Sequence, residues 1–179
     1  MNIFLWIVIV LASIIVLLLL IGVFTKKDYS AGREVIINKP KSLVFDYLRV
    51  LKNQNKWSVW GSLDPNMKTR FTGTDGTEGF ISAWESDVKN VGAGEQEILK
   101  IVDGERLDYE MRFLKPFKST SWAFITTTAL NENQTKVHWG FNGKMNYPSN
   151  LMLVFMNMEK MIGNDFEKGL LNLKAILEK

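Results

Sequence analysis

From Ile3 to Phe24 the chain reads IFLWIVIVLASIIVLLLLIGVF, 22 consecutive residues of which only Ser13 and Gly22 are not plainly apolar. No charged side chain precedes Lys26, so all 22 basic and 19 acidic residues lie beyond this run. Wound as an α-helix it is about 33 Å long, enough to cross a hydrocarbon core of about 30 Å. A helix buried in a soluble domain rarely stays apolar on every face over such a length. A cleaved leader would carry a basic N-terminus, a shorter apolar stretch and a small-x-small cleavage site. Here Met1-Asn2 holds no Lys or Arg, and Phe24-Thr25-Lys26-Lys27-Asp28 offers no such site. We therefore expect residues 1–25 to form an uncleaved single-pass membrane anchor, followed by a polar linker over 26–32. Lys26, Lys27 and Arg33 flank its C-terminal end, and no basic side chain flanks the other. The positive-inside rule then places the soluble domain on the cytoplasmic side.

Residues 33–179 have the length of one domain. The absence of Cys removes a disulfide scaffold, Cys-based metal centres and a Cys nucleophile. The single His, His138, leaves no multi-His metal site. No metal and no cofactor are expected. The net charge is only +3 and no Lys/Arg run exceeds two residues, so nucleic acid is not an expected partner. Nothing in the sequence speaks to the oligomeric state.

The domain opens on Arg33-Glu34-Val35-Ile36-Ile37, a β-branched run that reads as a strand. Pro40 begins a helix with Leu43, Val44, Tyr47, Leu48 and Leu51 on one face. Trp57-Ser58-Val59-Trp60 is a short aromatic segment, and Asp64-Pro65-Asn66 a turn. Alternation then predicts strands over 68–72, 80–86, 95–102, 107–113, 119–128 and 136–142. Gly-, Asn- and Asp-rich turns separate them, and Asp103-Gly104 is a good tight hairpin signal. Strands joined this closely form an antiparallel meander. The chain ends in a long helix, expected over 148–178, with Leu151, Phe155, Met158, Ile162, Phe166, Leu170, Leu173 and Leu177 on one stripe. Gly163 and Gly169 inside it signal either close packing on the sheet or room for a ligand beneath.

This order of elements resembles the helix-grip fold of the START-like superfamily, and within it the polyketide cyclase/dehydrase and lipid-transport group. The resembling stretches are Val35-Ile36-Ile37-Asn38-Lys39-Pro40, Trp57-Ser58-Val59-Trp60, Trp84-Glu85-Ser86 with Gly92-Ala93-Gly94, Thr135-Lys136-Val137-His138-Trp139 and Met161-Ile162-Gly163 through Lys174. The resemblance implies an α+β fold, a curved antiparallel sheet wrapped around a long C-terminal helix. It also implies an apolar cavity between the two. It leaves function open, because the superfamily hosts carriers, cyclases and chaperone cofactors.

Alternation sets Tyr109, Met111 and Phe113 on the face opposite Asp108, Glu110 and Arg112. It sets Val137, Trp139 and Phe141 opposite Lys136 and His138. Trp122 and Phe124 share a face of the intervening strand, which we take to be the inner one. The expected ligand-binding residues are Trp57, Trp60, Trp84, Met111, Phe113, Trp122, Phe124, Trp139, Phe141, Met158, Met161 and Ile162. These side chains either wall a cavity or fill a core. His138 points outward and lacks Ser or Asp partners at triad spacing. Asp46, Glu85 and Glu110 are acid/base candidates by position alone, with no second carboxylate at a set spacing. Asn157, Asn164 and Asp165 either orient a ligand or cap and solvate the helix. Gly73-x-x-Gly76-x-x-Gly79 lies between strands and reads as a loop. No catalytic residue is assigned.

The reading that follows is a membrane-anchored binding or transfer module for an apolar or amphipathic small molecule, with lipid among the candidates. The alternatives are a cyclase or dehydratase acting on a polyketide-like substrate, which needs acid/base groups in the cavity, and a protein-interaction module, which needs an exposed apolar patch.

Overall fold

The computed structural model describes residues 2–179. Seven antiparallel strands form one sheet in the order β1-β7-β6-β5-β4-β3-β2. They are β1 (Asp28–Ile37), β2 (Lys68–Thr72), β3 (Ile81–Glu85), β4 (Ala93–Val102), β5 (Arg106–Lys115), β6 (Ser119–Asn131) and β7 (Gln134–Lys144). β2 to β7 run as a meander, and β1 closes onto the free edge of β7. The predicted strands are all present. β1 begins five residues early, however, so residues 28–32 pair with β7 from Asp28↔Lys144 to Gly32↔Gly140. Only Thr25–Lys27 remain between the apolar helix α1 (Ile3–Phe24) and the sheet. The expected linker over 26–32 is therefore mostly strand.

Between β1 and β2 lie α2 (Lys41–Arg49), a 3-10 turn (Leu51–Asn53), α3 (Gln54–Trp57) and α4 (Val59–Leu63). The Asp75 carboxylate accepts from the Leu51 and Lys52 amides at 2.8 and 3.2 Å, and Arg49 Nε donates to the Gly76 carbonyl at 2.7 Å. The glycine-rich loop over 73–79 is thus a latch on the end of α2.

The C-terminal segment is not one helix. A 3-10 turn (Ser149–Leu151) and α5 (Met152–Phe155) come first. The backbone then becomes extended at Met156, and Asn157 starts α6 (Met158–Leu177) by accepting from the Lys160 amide at 2.9 Å. This side-chain acceptor satisfies a donor that an uninterrupted helix would have bonded internally, so the break carries its own cap. From Met158 onward the predicted stripe holds: Phe166, Leu170, Leu173 and Leu177 are buried. Phe155 lies before the break and is 72% exposed. α6 runs along the inner face beside β1 and rests on α3 and α4.

β6 corrects the face assignment. Next to the β6–β7 turn Asn131 faces Gln134, yet two residues back Ala129 faces Thr135, one residue on. β6 therefore carries one extra residue, Leu130, a β-bulge. One residue of shift exchanges the two faces of a strand. Beyond the bulge Ile125 faces Trp139, and Trp122 faces Asn142. Ser121, Ala123, Ile125 and Thr127 are buried inward, while Trp122 and Phe124 lie on the outer face. Phe124 covers Gly140 there, where any Cβ would collide with its ring, and meets His138 edge-on at 5.3 Å. His138 does point outward.

Candidate functional site

The inner face near α6 is filled. Trp139 lies flat on Phe166 with ring centroids 3.8 Å apart, and Trp57 and Trp60 meet Trp139 edge-on at 4.8 and 6.0 Å. A Cβ on Gly169 would sit 3.1 Å from the Trp139 ring and 3.6 Å from Trp57, so this glycine lets the indoles reach the helix backbone. Gly163 does the same for the guanidinium of Arg33, which pairs with Glu159 at 2.5 Å. Both helix glycines serve close packing. Phe141 is buried beside Tyr29, and Ile162 packs partly buried on the core. Met111 and Phe113 occupy the same inner face on β5, half-buried, with Trp84 edge-on to Phe113 at 6.1 Å. Met161 is half-exposed, off the buried stripe.

Four buried side-chain atoms, Tyr47 Oη, Trp57 Nε1, Tyr109 Oη and Asn150 Oδ1, have no hydrogen-bond partner among the described residues. Burial pushes the Tyr109 phenol up, with the nearby Asp108 and Asp75 charges adding to the effect, so it stays a neutral donor.

The carboxylates weighed for acid/base work are otherwise engaged or solvated. Asp46 is exposed on α2. Glu85 accepts from Lys115 Nζ at 2.8 Å. Glu110 shares Arg112 with Glu95 and Glu97, at 2.5, 2.5 and 2.7 Å respectively. All three glutamates stand on the outer face. Asn157 is the cap of α6 already described.

A recess of about 810 Å³ lies elsewhere, at the end of the sheet where the chain leaves α1. Its floor is a row of outward residues that the register aligns across three strands: Ser30 on β1, Asn142 on β7 and Trp122 on β6. Its second wall is the broken segment, with Leu153, Val154, Phe155, Met156 and Met158. Lys26 and Lys144 stand at its polar side with Asp28 and Glu159, and Tyr29 contributes a phenol that burial keeps protonated. One wall is thus apolar and the other carries charges and donors. The size falls within the range of small-molecule sites, about 300–1,000 Å³.

Of the twelve sequence-derived candidates, Trp122 and Met158 line this recess. Trp57, Trp60 and Trp139 form the aromatic core instead. The recess residues that sequence reasoning missed sit on the chain treated as linker, at the end of β7 and around the helix break. Asn157 was the available signal, since Asn is a favoured helix start.

The base of α1 is fastened beside this recess. Buried Asn150 donates from Nδ2 to the carbonyls of Gly22 and Thr25 at 2.7 and 2.9 Å, and the Tyr147 ring covers Gly22.

Residues 30–178 match the family described as polyketide cyclase / dehydrase and lipid transport. No curated protein is significantly similar in sequence. Among solved structures, CV1439 from Chromobacterium violaceum superposes with a TM-score of 0.58 at 17% identity, over 84% of this chain and 97% of that one. A Thermobifida fusca protein solved by NMR gives 0.61 at 16%, over 83% and 92%. The Aha1 dimer from Colwellia psychrerythraea gives 0.56 at 12%, over 84% and 96%. At these identities the likeness is one of fold.

Proposed function

We propose, from the premise that this chain belongs to the polyketide cyclase/dehydrase and lipid-transport family, that it is a membrane-anchored binding or transfer module for an amphipathic small molecule. The observation that carries the reading is the two-sided recess beside the base of α1. An apolar tail would lie along Leu153–Met158 and Trp122, and a polar head would meet Lys26, Lys144, Asn142 and the Tyr29 phenol. α1 is the anchor: it is long and apolar enough to span a bilayer, and nearly all its side chains are exposed rather than packed on the domain. Tethering holds the recess at high effective concentration against the phase in which an amphipath dissolves. The flanking lysines favour an orientation with the domain on the cytoplasmic side.

The test is binding of a fluorescent fatty acid to the full chain in lipid nanodiscs. Trp122→Lys puts a charge where the apolar tail would lie without touching the core, and should abolish the signal while leaving thermal unfolding nearly unchanged. Equal binding by the variant would remove the recess from the function.

A further inference from the structure

We propose that the anchor-side end of the sheet docks on an anionic phospholipid bilayer, with Phe117 entering the headgroup layer between lysines. The proposal rests on the reading of α1 as a membrane anchor. It goes beyond that reading by naming the surface of the domain that lies on the membrane and the lipid charge it takes.

The topology collects this surface. Antiparallel pairing brings the starts of β1, β2, β4 and β6 to the same end as the finishes of β3, β5 and β7. Thr25–Lys27 span at most about 10 Å even when extended. With Asn150 clamping the base of α1, the end of β1 cannot stand far off the bilayer. The β5–β6 hairpin, over 116–118, is three strands along from β1, about 14 Å to the side at normal strand spacing. Its Phe117 is 80% exposed, between Lys115 and Lys118. Such a residue is expensive to leave in water and suited to a membrane interface, where apolar side chains insert and flanking lysines stay at the headgroups.

Charge selects the lipid. The strand ends, the loops and the first turn of α6 on this side carry Lys26, Lys27, Lys68, Lys89, Lys115, Lys118, Lys144 and Lys160 against Asp28, Asp64, Glu85, Asp87 and Glu159. Eight cations against five carboxylates leave a surplus of three, which equals the net charge of the whole chain. The rest of the protein is therefore neutral on balance, and its excess positive charge is all at the end that the anchor holds against the membrane. Polybasic segments this close to an anionic leaflet are attracted to it, and the attraction fades within a Debye length.

The protein has no Cys, so single cysteines report single sites. Ser13→Cys in α1, Phe117→Cys in the hairpin and Asn133→Cys at the opposite end of the sheet are each labelled with an environment-sensitive fluorophore. The full chain is reconstituted into vesicles of phosphatidylcholine alone or of a two-to-one mixture with phosphatidylglycerol. In the mixture, nitroxides carried on the lipids should quench residues 13 and 117 and leave 133 bright. The emission at 117 should also shift to the blue. Quenching at 117 should fall in phosphatidylcholine alone, and in the mixture when Lys118→Gln and Lys144→Gln are added. Quenching at 13 with none at 117 overturns the docking and leaves the anchor standing. Equal quenching at 117 in the two lipid compositions overturns the preference for anionic lipid. No quenching at 13 means that α1 is not in the bilayer, and the anchor reading fails first.

Discussion

Trp139 shows how much one inward position decides. Its ring is buried between Phe166, Trp57 and Trp60, and Gly169 lets it approach the backbone of α6. Trp139→Ala should cost about 3–5 kcal/mol by opening a void at the centre of the domain. Trp122, 48% exposed on the other face, has few such contacts to lose, so Trp122→Ala should stay within about 1 kcal/mol. Chemical denaturation of both variants checks the pair, and a large loss at Trp122 would show that it too supports the core. Glu178 gives a residue-scale prediction in pH. The Asn38 backbone N–H at 2.6 Å, and then Lys174, hold its carboxyl below the ordinary carboxylate range. Its contribution is present above the ordinary range and is lost as pH falls through the lowered folded value. The Asn38 amide resonance should titrate in that acidic window, and Glu178→Gln should abolish the titration.

At the scale of elements, a single extra residue sets the composition of the core. Leu130 is 47% exposed, so its side chain does little, but because it is left out of the ladder Ala123 and Ile125 face inward. Leu130→Ala keeps the residue count and should change stability by less than about 0.5 kcal/mol. Deleting Leu130 removes the unpaired residue and leaves Ala129 opposite Thr135 next to Asn131 opposite Gln134, so the register from Trp122 to Ala129 and its inward set are kept. We expect the deletion variant to keep a cooperative thermal transition by circular dichroism. Loss of that transition would mean that the turn needs the bulge itself.

At the scale of the whole molecule, α1 and the domain are joined by more than the chain. Three residues connect them, and Asn150 and Tyr147 hold the helix base from the side. The recess, the lysines and Phe117 share the anchor-side end of the sheet as a consequence. Protease added to intact cells stripped of any wall should leave the domain whole, and disruption of the membrane should expose it to cleavage. Digestion from outside would reverse the orientation.

The features legible in the sequence were those with a local period. The 22-residue apolar run, the strand alternation over 68–142 and the stripe from Met158 to Leu177 each repeat at a spacing that one element imposes on its own residues. The antiparallel meander followed from the short turns between strands, and the inward set on β5 and β7 followed from alternation. The tertiary structure decided what no period records. The bulge at Leu130 is one residue without a repeat, and it reversed the face of Trp122 and Phe124. The break at Met156-Asn157 interrupts a stripe whose apolar spacing runs on across it, because Asn157 satisfies the backbone from a side chain. The filled space under α6 depends on indoles from α3 and β7 meeting one glycine of a distant helix, with a third from α4 set edge-on against them. The recess depends in the same way on strand ends and a broken segment that are neighbours only once the sheet has closed with β1 on β7.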